Sequence, residues 1–104
     1  MVKTTKHIPP THPGKDLLEL IQDYGLTQYR LAKQLGVPQT RVMQIVKGQR
    51  SISTDTALRL SRFFGISKEY WLKRQMHYDL ECALIADGGM IEATVLPMAD
   101  VANG

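Results

Sequence analysis

The chain has a single cysteine, Cys82, which excludes an intramolecular disulfide and a cysteine-based metal cluster. His7, His12 and His77 are scattered, and no spacing joins two of them on one metal ion. No run approaches the roughly 20 apolar residues of a membrane span, and the opening MVKTTKHIPPTHPGK lacks the apolar stretch of a secretory leader. A reducing cytoplasm is the expected home. No glycine-rich loop is placed to cradle a phosphate. Asp79 and Glu81 stand two apart on an expected helix and so point to different faces. Cys82 has no histidine and acid to activate it, and reads as a small buried hydrophobe. These absences argue against an enzyme, and neither metal nor cofactor is called for.

Charge of one sign is missing twice. From Tyr24 to Thr54 there is no aspartate or glutamate, while Arg30, Lys33, Arg41, Lys47 and Arg50 supply cations. From Gln75 to Gly104 there is no lysine or arginine, while Asp79, Glu81, Asp87, Glu92 and Asp100 supply acids. The formal charge of +3 hides this division. A carboxylate-free surface beside a tight glycine turn suits a polyanion, double-stranded DNA above all.

What remains is a globular composition, 43% hydrophobic and 22% charged over 104 residues, which fits one compact domain. Residues 1–11, with prolines and few large apolar groups, read as a flexible arm; 12–86 form the domain; 87–104 form an acidic tail, flexible or ordered by a partner. Hydrophobic spacing predicts five helices and no sheet. The first runs from Gly14 to Tyr24, with Leu17, Leu18, Leu20 and Ile21 recurring at helical spacing. Thr27 caps the second, which Gly36 stops. The third begins near Pro38 and ends about Lys47, its Val42, Ile45 and Val46 facing in and its Thr40, Gln44 and Lys47 facing out. Ser53 caps the fourth, in which Ala57, Leu58, Leu60, Phe63 and Phe64 supply core. The fifth follows Ser67 to about Ala86, with Trp71, Tyr78, Cys82 and Ile85 on one stripe and Leu72, Met76 and Ala83 beside it. Gly88 and Gly89 should end it. Tyr70, Trp71 and Tyr78 read first as packing, and the surplus of apolar residues on this helix hints at self-association.

Gln28, Ala32, Gly36, Val42 and Ile45 fall at the first, fifth, ninth, fifteenth and eighteenth positions of a helix-turn-helix of the phage-repressor type. Each has a physical reason: Ala32 must be small where the second helix crosses, Gly36 turns with positive φ, and Val42 and Ile45 lock the second helix to the scaffold. A narrower resemblance covers about residues 12 to 83. His12-Pro13-Gly14, the phrase DTALRL, Trp71-Leu72 and Tyr78-Asp79-Leu80 resemble the HigA or VapI antitoxins of the Xre helix-turn-helix family.

That resemblance implies an all-α, five-helix, lambda-repressor-like domain with helices two and three as the helix-turn-helix, an extended last helix and a flexible C-terminal tail. It implies a homodimer that represses its own operon and neutralises a HigB-like ribonuclease toxin, the alternative being a standalone phage-type repressor without a toxin partner. Carried over by position, Gln39, Thr40 and Gln44 reach bases. Gln28, Arg41, Lys47 and Arg50 take phosphates, with guanine as the second option for Arg41. Leu80, Leu84 and Ile85 on the last helix are the expected dimer contact. The acidic end is either a solubilising terminus or an electrostatic contact for a basic toxin.

Overall fold

The computed structural model describes residues 9–102, and all of its regular structure is helical: α1 (Pro13–Asp23), α2 (Gln28–Leu35), α3 (Gln39–Val46), α4 (Thr54–Phe64), α5 (Lys68–Thr94) and a short α6 (Met98–Ala102). The arm expected over residues 1–11 lies outside the described residues except for Pro9, Pro10 and Thr11.

The helix starts follow local chemistry. Thr27 Oγ1 accepts from the Arg30 N–H at 3.0 Å, Ser53 Oγ from Thr56 at 3.2 Å and Ser67 Oγ from Glu69 at 3.2 Å, each satisfying an amide that the helix cannot. Pro38 sits one place earlier than expected, as the cap of α3 with extended ψ of 145° and no side-chain bond. α1 is capped by a histidine: His12 Nδ1 accepts from the Gly14 N–H at 2.9 Å.

The first four helices and the base of α5 enclose one core. Leu17 and Ile21 of α1, Leu31 and Leu35 of α2, Val42 and Ile45 of α3, Leu60 of α4 and Trp71 of α5 are all buried. Each fully buried aliphatic side chain here is worth about 1.5–3 kcal/mol of transfer free energy. Leu58 and Phe63, expected in this core, are instead exposed. They lie on the outer side of α4, whose inner stripe is completed by Ala57 and Leu60. The base of α5 is tied to α1 by Arg74, which donates to Asp16 at 2.6 Å and to the Thr11 carbonyl at 3.2 Å, and by the Tyr70 hydroxyl, 3.1 Å from the same Asp16 oxygen.

α5 departs most from expectation. Its end, expected near Ala86, falls at Thr94, so that it has 27 residues and a length of about 40 Å. Gly88 and Gly89 do not interrupt it, and neither has positive φ. A glycine in a helix interior costs about 1 kcal/mol relative to alanine, which weakens a long helix without ending it. Beyond Tyr78 the helix leaves the core: Ile85, on the Trp71 stripe by spacing, is 67% exposed, and on the flank Met76 is already 63% exposed. The expectation that no run approaches a membrane span does not hold: between Lys68 and Val101 lies an 18-residue window with mean hydropathy 1.3, none of it buried, long and apolar enough to cross a membrane by length and composition.

Candidate nucleic-acid interface

α2 and α3 form the helix-turn-helix. Ala32, Val42 and Ile45 are buried where the two helices cross. Between them the chain reverses at Gly36, with φ 72° and ψ 36°. Its N–H donates to the Lys33 carbonyl at 3.2 Å, and that of Val37 to the Ala32 carbonyl at 3.0 Å. A side chain at this left-handed position would be strained by about 1–2 kcal/mol. Ala32, Val42 and Ile45 thus fill the crossing, and Gly36 makes the turn.

The polar residues of α3 divide into three settings. Gln39 and Thr40 are exposed on its first turn, where no side chain caps the helix. Gln44 is half-buried and oriented: its Oε1 accepts from Arg50 Nε at 2.8 Å, which leaves its NH₂ group free to donate. Lys47 closes the helix and is exposed; Gln28 is half-buried in the first turn of α2. Arg41 is held differently. Its Nη1 donates to Asp55 Oδ2 at 2.9 Å, and the same oxygen accepts from Arg59 Nε at 2.9 Å. Arg59 continues the chain, donating from Nη1 to the Leu35 carbonyl at 2.8 Å, the last of α2. Hydrogen bonding from Arg59, and after it from Arg41, holds the Asp55 carboxyl below its usual range.

Sequence reasoning missed that link because Asp55 stands just past the acid-free segment. The available signal was the four-residue spacing of Asp55 and Arg59 on one helix face. Two further supports were also missed. Gln75, on α5, is buried; its Oε1 accepts from the Ile52 N–H at 2.8 Å and its Nε2 donates to Asp79 at 2.9 Å. It thereby fixes the loop that follows the recognition helix. His12 packs edge-on to Tyr78, with ring centroids 4.9 Å apart, and lies beside Gly48 in the same loop. Burial pushes the His12 pKa below its ordinary 6.5, against the pull of Asp79 and of the Arg50 backbone.

The arrangement offers amide donors and acceptors on an exposed helix, cations around it, and a rigid brace behind it. Such a surface can present side chains to base edges while cations engage phosphate.

The chain matches the family described as Helix-turn-helix over residues 17–71, more than half its length. Virulence-associated protein I of Dichelobacter nodosus is 46% identical over 77 residues, covering 73% of this chain and 71% of that protein. Among solved structures, an addiction module antidote protein of the HigA family from Coxiella burnetii is 45% identical with a TM-score of 0.81, covering 86% of this chain and 99% of that one. The Pseudomonas aeruginosa antitoxin HigA, solved with the higBA promoter, is 38% identical with a TM-score of 0.83, covering 85% and 97%.

Proposed function

Since the chain belongs to the helix-turn-helix family, among structural neighbours that are HigA antitoxins, we propose that it neutralises a small basic, mRNA-cleaving toxin of the HigB kind and represses the operon encoding both. It acts on DNA as a homodimer, because one short recognition helix reads only a few base pairs. Two helices related by a twofold axis read half-sites about 34 Å apart.

The observation that carries this reading is the exposed face of α3, with Gln44 preset by Arg50 and no carboxylate on the helix itself. Gln39, Thr40 and Gln44 take the bases. A glutamine amide pairs with adenine N6 and N7 together, and a threonine methyl packs against that of thymine. Gln28, Lys47 and Arg50 take phosphates. Arg41 joins them once it turns from Asp55, an exchange of one anion for another.

The test is a titration of the protein against its own upstream DNA and a scrambled duplex, together with recovery of bound partners from the native host. Selective binding with a small basic protein recovered supports the whole reading. Selective binding with no partner leaves a standalone repressor, and binding that never discriminates sequence overturns repression.

A further inference from the structure

The loop after α3 reaches back to a side chain of that helix. Gly48, at φ 75°, ends the helical run: its N–H donates to the Ile45 carbonyl at 3.0 Å, and that of Gln49 to the Gln44 carbonyl at 2.8 Å. These two bonds fold the chain over the end of the helix. Arg50 thereby returns beside Gln44, and its Nε donates to Gln44 Oε1 at 2.8 Å. The loop is held from behind, with His12 packed beside Gly48 and the Ile52 N–H donating to Gln75 at 2.8 Å.

A guanidinium donates and cannot accept, so the end of the Gln44 amide that faces Arg50 can only be its oxygen. Turning the amide over would set donor against donor. The NH₂ group of Gln44 is therefore the end left for a base.

Bases differ in how they meet that group. In the major groove guanine presents two acceptors, N7 and O6, whereas adenine presents the N7 acceptor beside the N6 donor. Pairing a glutamine with adenine at both atoms needs the amide oxygen to accept from N6. That pairing suits Gln39, exposed at the first turn of α3. At Gln44 the oxygen is turned to Arg50, and adenine N6 would meet an N–H instead. Guanine meets the same N–H with acceptors alone.

Arg50 keeps its Nη1 and Nη2 groups for another partner. Unlike Arg41, it has no carboxylate partner among the described residues, so that edge is open to a DNA phosphate. One side chain then joins the backbone contact to the base contact.

Resting on the reading of α3 above as the base-contacting helix, we propose that Arg50 is a positioning residue that determines specificity. It fixes the Gln44 amide with its NH₂ group outward, so that the base met by Gln44 is guanine and not adenine.

The test measures binding of the full chain to its upstream DNA with each base pair replaced in turn, for wild type, Gln44→Ala, Arg50→Met and the two substitutions combined. The position whose preference Gln44→Ala flattens is the one that Gln44 reads. There the wild type should favour guanine over adenine by about tenfold, the size of one good base contact. Arg50 is exposed, so Arg50→Met leaves the core intact while freeing the amide to turn over. It should weaken all duplexes by a common factor, through the lost phosphate contact, and cut the guanine preference at that one position below about threefold or reverse it. With Gln44→Ala already present, Arg50→Met should change overall affinity alone. Independently, Gln44→Glu keeps an oxygen for Arg50 but turns the outward donor into an acceptor, and should move the preference to cytosine. Any wild-type base other than guanine at that position overturns the proposal, as does a guanine preference that survives Gln44→Glu. An Arg50→Met variant that keeps the preference also overturns it and leaves Arg50 a phosphate contact only. A selective wild type in which Gln44→Ala flattens no position overturns the proposal while repression stands. Binding without any sequence selectivity overturns both.

Discussion

Replacing Gly14 by alanine should unfold this domain more readily than its small size suggests. Gly14 lies in the first turn of α1, buried against the last turn of α3. A Cβ there would sit 1.8 Å from the Ile45 carbonyl oxygen and 2.7 Å from its carbon. Carbon and oxygen approach no closer than about 3.3 Å even in favourable contacts, so the two helices must part by about 1.5 Å. The carbonyl cannot simply turn aside, because it accepts from the Gly48 N–H at 3.0 Å. Overpacking of this kind costs about 1–3 kcal/mol, and losing the Gly48 bond adds about 0.5–1.5 kcal/mol. The better helix propensity of alanine returns at most about 1 kcal/mol. The balance is a net loss of about 0.5–4.5 kcal/mol, and at its middle, about 2.5 kcal/mol, Tm falls by about 10–20 °C in a domain of this size. Thermal unfolding followed by circular dichroism measures it, with Gly89→Ala as control, since nothing lies within 4 Å of a Cβ at Gly89. A Gly14→Ala melt within about 2 °C of wild type would refute the reasoning, because the contact would then be soft.

Three further outcomes follow from contacts described above. Gln75→Leu leaves the buried Ile52 N–H without its acceptor and should destabilise the fold by about 1–3 kcal/mol in urea unfolding; an unchanged midpoint would mean that the loop finds another partner. His12 caps α1 as a neutral ring and its pKa is lowered by burial, so the folded state binds fewer protons than the unfolded one. Its stabilisation is complete above the unfolded value of 6.5 and is lost as pH falls through the lower folded value. His12→Asn keeps an acceptor without titrating, and should flatten the urea midpoint between pH 8 and pH 5, which identical pH profiles would contradict. At the operator, Gln44→Ala should cost about 1–3 kcal/mol and blunt discrimination, whereas Lys47→Ala should weaken all duplexes alike and reduce the salt slope by about one unit. Binding isotherms at several salt concentrations separate the two.

The helix-turn-helix was legible because local rules and burial agree there. Thr27, Ser53, Ser67 and Gly36 each do at a helix end what their chemistry favours, and Ala32, Val42 and Ile45 repeat at spacings that only a packed crossing requires. Legibility failed where the partner was distant in sequence. Arg41 reads as a free cation until the fold brings Asp55 to it, and Gln75 carries no signal in the sequence until the fold brings it to the Ile52 N–H, 23 residues away. The C-terminal end was misread for another reason: a glycine pair was weighed as a stop, although its cost is small beside that of breaking a helix continuous on both sides.

That same helix separates two kinds of boundary that usually coincide. α5 is one unbroken rod by its hydrogen bonds, but its buried side chains stop at Gln75, within its first third, and past Tyr78 it meets only solvent within a single copy. Opening of that remainder exposes no core, so in an isolated copy its amide protons exchange by fraying while those around Trp71 wait for the whole domain to unfold. The cooperative unit therefore ends inside a helix, at no feature of the backbone, and its limit moves outward whenever the exposed half is covered.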